Sequence, residues 1–270
     1  MVVSVDGIQF QDGGDFACCH VFYLSDELKE LIRTHLVSIC HGSQVSDYLN
    51  SPLYSYKTTI NSFLARYEKK SNDTKKGMIG EFLSHILITS MFKEYEITSA
   101  YFNLEEKSIK KGFDLLLYNT EQRAMWITEV KSGECHQGKT NDQTTRALLN
   151  TAKNDLHVRL NAQEEQYWLN AINHVKAAVH DEKDYRKVLL DILVNDAGGS
   201  TVKGTAKSQN KNVFLVSNLF APMSSQISWK PAEDLAANLS DKSTFANVIT
   251  FSIQKETYQK VVDFLHEEIA

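Results

Sequence analysis

Asp114, Glu129 and Lys131 stand within the segment GFDLLLYNTEQRAMWITEVKSGE, residues 112–134, inside two runs that otherwise have the β-branched and aromatic texture of buried strands. Strand propensities span only about 1 kcal/mol, whereas desolvating an unpaired carboxylate costs on the order of several kcal/mol even after relaxation. Charges in such runs need a compensating partner. Residues two apart in a strand point to one side, so Glu129 and Lys131 share a face and Val130 points behind them. A hairpin through NTEQR brings Asp114 beside that face. Neighbouring carboxylates resist joint ionisation, and a single lysine does not balance two acids, whereas a divalent cation does. Magnesium takes hard oxygen ligands, keeps several waters and is commonly held by one or two carboxylates plus substrate phosphate. Such an ion polarises a phosphoryl oxygen and lowers the pKa of a bound water. A lysine next to that water can orient it, help deprotonate it, or stabilise charge in the transition state. These three side chains are therefore the minimum kit for metal-assisted phosphodiester hydrolysis. The plain alternative is a solvated sheet face whose surface ion pairs are worth about 0–1 kcal/mol.

The tripeptide alone is weak evidence. An acid two residues before a lysine also occurs at Glu27, Glu68, Asp73, Glu105 and Asp181, all in polar helical or loop sequence. Only Glu129-Val130-Lys131 is embedded in a strand. A further acid, Glu81, sits in MIGEFLSHILITSMF (78–92), a helix apolar nearly all round, with His85 one turn on along the same face. An ionised group there needs a partner, and a metal reached across the helix–sheet interface is one. A helix end more exposed than its composition suggests is the other reading.

The elements that must position these groups can be read from periodicity. Strands GIQF and ACCHVFYL flank a Gly-Gly turn near the N-terminus. A helix follows near 26–40 with Ser25 as its N-cap, and another spans 58–69. KKSNDTKKG reads as a polar connector. After the apolar helix come three strand-like runs, YEITSAYF, GFDLLLY and AMWITEV. Residues 142–158 are helical, with Leu148, Ala152, Leu156 and Leu160 on one face and Gln143, Arg146, Asn150 and Lys153 toward another. Further helices run through EEQYWLNAINHVKAAV and DYRKVLLDILVND. Residues 196–212 read as a Gly/Ser/Lys loop, VFLVSNLF and NVITFSI as late strands, and ETYQKVVDFLHEEIA as a closing helix.

Composition narrows the function classes. The 270 residues carry a formal net charge of −5, so no global basic field recruits nucleic acid, although a local basic groove is compatible with that balance. Nothing reaches the length of a membrane span and no secretory signal pattern opens the chain, so a cytoplasmic protein is expected. Four cysteines lack disulfide or zinc spacing, the three Cys-His dipeptides included.

A buried helix with Glu81, a strand with Asp114 and a strand reading Glu129-Val130-Lys131 together resemble the PD-(D/E)XK nuclease superfamily over roughly residues 76–160. More narrowly, GEFLSHILI, GFDLLLYN and ITEVKSGE resemble the HamA family, the nuclease subunits of Hachiman anti-phage systems. One departure is Phe113 where the superfamily motif has proline. The resemblance implies a mixed α/β fold with an αβββαβ core over 76–270, preceded by an extension over 1–75 that serves a partner interface. It implies a DNA nuclease using Mg²⁺ (Mn²⁺ substituting), held by Asp114, Glu129 and the Val130 carbonyl, with Glu81 supporting the metal or its water and Lys131 assisting the attacking water. Gln143, Arg146 and Lys153 are the expected nucleic-acid contacts, and a helicase subunit (HamB-like) the expected partner. No small-molecule cofactor is expected. A noncatalytic nuclease-fold subunit that regulates the helicase is the alternative. For an active site under electrostatic strain, Glu129→Ala or Lys131→Ala is expected to abolish cleavage with the melting temperature unchanged or raised.

Overall fold

The computed structural model describes residues 5–48, 51–102 and 112–270. Glu105 and Lys107 lie outside them. One seven-stranded sheet, in the order β1-β2-β7-β6-β5-β4-β3, runs through the molecule. Its strands are β1 (Ile8–Asp12), β2 (Phe16–Val21), β3 (Tyr95–Ile97), β4 (Leu115–Asn119), β5 (Ala124–Glu134), β6 (Asn212–Phe220) and β7 (Asn247–Lys255). The helices are α1 (Asp26–His41), α2 (Tyr56–Tyr67), α3 (Asn72–Met91), α4 (Asn141–Asn161), α5 (Glu165–Ala178), α6 (Asp184–Asp191), α7 (Gly199–Val202), α8 (Lys230–Asp241) and α9 (Gln259–Glu267). The fold is mixed α/β, with β2, β7, β6 and β5 parallel and the edge pairs antiparallel. Helix α3 followed by β3, β4, β5, α4 and later β6 reproduces the αβββαβ order expected from sequence.

The layers follow from the strand alternation. Trp126 and Val130 of β5 face a core built with Leu28 and Ile32 of α1, Phe63 of α2, Phe82 and Ile86 of α3 and Val261 of α9. Met125 and Ile127 face the other way, into a core with Leu149, Ala152, Leu156 and Leu160 of α4, Trp168 of α5 and Leu235 of α8. Helices thus cover both faces, which is why the central parallel strands read as nearly continuous apolar runs. The first 75 residues enter this same sheet, since β2 pairs with β7 from Phe16↔Thr250 to Val21↔Lys255. Among the described residues no helix is long and apolar enough to cross a membrane.

Three sequence expectations differ from the structure. The segment read as a polar connector is the first turns of α3, because Ser71 caps the helix by accepting the Thr74 amide and Asp73 lies in its first turn. The loop expected at 196–212 begins only after Val202: a π-helical turn, Ile192–Gly198, carries the chain from α6 into α7. Leu193, Ala197 and Thr201 are buried at spacing four along it, and that burial overrides the low helix propensity of Gly198 and Gly199. Helix α8 was not anticipated. Pro231 in its first turn and buried Ala232, Leu235, Ala236 and Leu239 are its signature, carried by small residues that give a faint pattern.

Candidate active site

β5 extends past the end of β4, and its protruding half carries the charges. The β4–β5 hairpin pairs Leu115 with Thr128 and Asn119 with Ala124. The Asn119 side chain accepts the amides of Glu121 and Gln122 to close the turn, and Arg123 adopts a positive φ of 52° within it. Beyond Leu115 the ladder ends, and the Asp114 carboxylate takes over: its Oδ2 accepts the Val130 amide at 2.7 Å. Glu129 and Lys131 continue the phase of Met125 and Ile127, so both face α4, as the spacing predicts.

Helix α4 answers them with two residues one turn apart. Arg159 donates through Nη1 to Glu129 Oε2 at 2.7 Å, with Nη2 3.5 Å from Oε1. Lys131 Nζ lies 2.8 Å from Glu129 Oε1 and 2.8 Å from Asp155 Oδ2. Glu129 is 1% exposed, and both of its oxygens face a cation. Burial alone would pull the Lys131 ammonium down, but Glu129 and Asp155 together reverse this and push it above its ordinary range. Arg159 follows the same pattern, burial opposed and outweighed by Glu129. The guanidinium also donates to the Gly112 carbonyl at 3.1 Å and lies over the Tyr167 and Phe113 rings at 5.5 and 5.9 Å.

Glu81 belongs to α3, on the opposite side of the sheet from α4. It and Asp114 both act electrostatically on one buried hydroxyl, that of Tyr101. The Tyr101 hydroxyl donates to the Met78 carbonyl at 3.0 Å, and burial first, then Glu81, with Asp114 among the lesser causes, holds it well above the ordinary tyrosine range. His85 is fully buried, its ring 5.9 Å from that of Tyr101 and edge-on to it.

Asp114, Glu129 and Lys131 are therefore brought together, with Val130 between them. Gln143 and Arg146 lie at the other end of α4. Gln143 forms a capping box with Thr140, and Arg146 pairs with Asp234 of α8 at 2.8 Å. Lys153 is half-buried on the middle turns. Sequence reasoning missed Asp155 and Arg159. Their signal was a pair of opposite charges at i and i+4, flanking the buried stripe Ala152–Leu156–Leu160.

The donor set suits a hard cation: carboxylates of Asp114 and Glu129 and the Val130 carbonyl. Among the described residues no three His, Cys, Asp or Glu side chains form a ready-made metal cluster. The residues fit an ion held by two carboxylates and water, the usual arrangement for magnesium, and not an all-protein cage.

No curated protein gives a significant match to the chain. The HamA family model matches residues 8–269, which takes in both flanks of the sheet, the hairpin and the whole charged cluster. The chain belongs to the HamA family.

Proposed function

We propose that this Hachiman defence component is a divalent-metal-dependent DNA nuclease of the PD-(D/E)XK type, restrained in the cell by a helicase subunit. The observation that carries the reading is the meeting of Asp114, Glu129 and Lys131 where β5 outruns β4. A magnesium or manganese ion bound by Asp114, Glu129 and the Val130 carbonyl would supply a Lewis acid and a water of lowered pKa. The chain's own groups do the rest. The Val130 amide fixes the Asp114 carboxylate. Asp155 and Glu129 hold Lys131 as an ammonium, suited to stabilising charge that develops on a phosphoryl oxygen. Glu81 adds negative charge from the other layer. The net charge of −5 fits an effector whose partner provides much of the DNA affinity. Tyr23, Tyr48 and Leu53, exposed within the first 75 residues, suit a partner surface there.

Incubation of the purified chain with plasmid DNA and Mg²⁺, with and without the helicase subunit, tests this. Nicking is expected, and it is expected to vanish in Glu129→Gln, in Lys131→Met and in EDTA. Cleavage that survives those changes overturns the assignment. Labelled RNA in the same assay identifies a ribonuclease.

A noncatalytic subunit that regulates its helicase is the second reading. It is favoured by the two cations that already neutralise Glu129. That reading expects no nicking under any condition, and a change in helicase ATPase on adding the chain.

A further inference from the structure

The Glu129–Arg159 contact has the geometry of a stopper. Both oxygens of a nearly inaccessible carboxylate are taken, one by Lys131 and one by Arg159. An incoming cation meets the repulsion of both and gains most by displacing one of them. Lys131 is also held by Asp155 at 2.8 Å and keeps a carboxylate whichever way it moves. Arg159 is 20% exposed, and apart from Glu129 its guanidinium is held by one neutral acceptor, the Gly112 carbonyl at 3.1 Å, and by the Tyr167 and Phe113 rings beside it, so among the described residues no second carboxylate ties it to this position. Guanidinium is weakly hydrated and matches phosphate oxygens through a planar fork. A phosphodiester arriving at the open end of β5 therefore offers it a partner to exchange for Glu129.

We propose that Arg159 is a resident counter-ion that competes with the divalent cation for Glu129 and yields to it when substrate phosphate binds. This inference rests on the nuclease reading above. It makes metal binding weak in the free chain and couples it to substrate: DNA draws Arg159 away, and the vacated carboxylate gains affinity for the cation. Thermodynamic reciprocity then requires that the cation also tighten DNA binding.

The test is Mn²⁺ affinity of the full chain, read from the electron paramagnetic resonance signal of free Mn²⁺, with a short DNA duplex present or absent. Lys131→Met serves as the background where DNA is added, so that nothing is cleaved. Arg159→Gln is expected to bind Mn²⁺ at least about tenfold more tightly than the parent without DNA, as removal of a unit charge beside a ligand implies. DNA is expected to tighten Mn²⁺ binding in the parent and to do so little in Arg159→Gln. Equal or weaker Mn²⁺ affinity in Arg159→Gln overturns the proposal while leaving the nuclease reading intact. If Mn²⁺ binds no better to the parent or to Arg159→Gln than to Glu129→Gln, the metal reading itself falls, and this inference with it. Arginine side-chain NMR of the Lys131→Met chain, which cleaves nothing, keeps the question decidable should Arg159→Gln misfold. The guanidinium signal absent from Arg159→Lys must move when Mg²⁺ and DNA are added together, and a signal that stays in place at saturation refutes the exchange.

Discussion

Gly80 of α3 presses on Ser132 of β5 so closely that a Cβ on the glycine would stand 1.9 Å from the serine hydroxyl oxygen and 2.8 Å from its Cβ. Asn218 of β6 fastens the contact, donating to the Gly80 carbonyl at 3.1 Å and to Ser84 at 2.9 Å. The next residue along the helix is Glu81, so the glycine sets how near that acid comes to the strands. Gly80→Ala must push α3 off the sheet. Overpacking of this kind costs about 1–3 kcal/mol, and the displacement of Glu81 is expected to lower cleavage further than the stability loss explains. Thermal unfolding and nicking assays on Gly80→Ala, Ser132→Gly and the double variant check it. Because Ser132→Gly removes the two nearest atoms and leaves only the Asn218 Cβ, at 3.2 Å, the double variant is expected to recover most of both losses. Independent, additive effects would show that the contact does not position the helix.

The pairing of Glu129 with two cations reverses the stability expectation drawn from sequence. Removing a strained acid from an active site stabilises a protein, but here Glu129 is the shared anion that neutralises both Lys131 and Arg159. Glu129→Ala leaves Lys131 with Asp155 alone and takes from Arg159 its carboxylate beside a buried gap, so it is expected to destabilise the chain by on the order of 3 kcal/mol, the low end of the cost of breaking a buried pair. Chemical denaturation of Glu129→Ala against the parent measures this. Lys131→Met, which leaves Arg159 on Glu129, is expected to cost clearly less. A Glu129→Ala variant as stable as the parent would mean that the cations relax freely into solvent.

Strand texture made the hairpin and its acids legible, because period-two alternation fixes which residues share a face once a strand is recognised. The same alternation placed Glu129 and Lys131 correctly and hid what they meet. Asp155 and Arg159 come from a helix whose rotation about its axis is set by how Leu149, Ala152, Leu156 and Leu160 pack on the sheet. Local spacing does not encode that rotation, and the sequence reading chose Gln143, Arg146 and Lys153 along the same helix. Helix α8 escaped for a related reason: alanines fill much of its buried face, so the apolar stripe is thin. The stretch near 198 shows the reverse, two glycines read as a loop that tertiary burial keeps helical.

Arg146 faces Asp234 on the surface, so a DNA phosphate can reach it only in competition with that carboxylate. The pair is half-exposed, at 47% and 32% of the two side chains, and Lys230 of α8 also reaches Asp234, at 2.7 Å. Exposed pairs of this sort contribute little to stability, so Arg146→Ala is expected to leave the melting temperature almost unchanged. If Arg146 touches phosphate, the same variant weakens DNA binding roughly equally for all sequences and reduces the salt slope by about one. Asp234→Ala, which frees the arginine, is expected to tighten binding. Fluorescence anisotropy with a labelled duplex over a salt series decides the matter, and an unchanged slope in Arg146→Ala removes it from the nucleic-acid surface.

Lys255, at the end of β7, is 1% exposed, and its ammonium has no hydrogen-bond partner among the described residues. Burial, with Lys260 adding repulsion and Glu256 opposing it, pulls the group from 10.5 down to about 8. The folded chain thus releases this proton at about 8, while the unfolded chain holds it up to 10.5. Between those values the unfolded state binds more protons, so stability rises with pH across that window. Below it, folding must bury a charge. Lys255→Met removes that penalty and is expected to stabilise the chain near neutral pH by on the order of 1–3 kcal/mol, an upper bound set by the size of the shift. The advantage is expected to be full below pH 8, to shrink through the window and to be least above pH 10.5. Urea denaturation of both chains at several pH values measures the difference. A gain independent of pH would trace to improved packing by the thioether, and a loss of stability at every pH would show that the lysine stem fills its site better than methionine does.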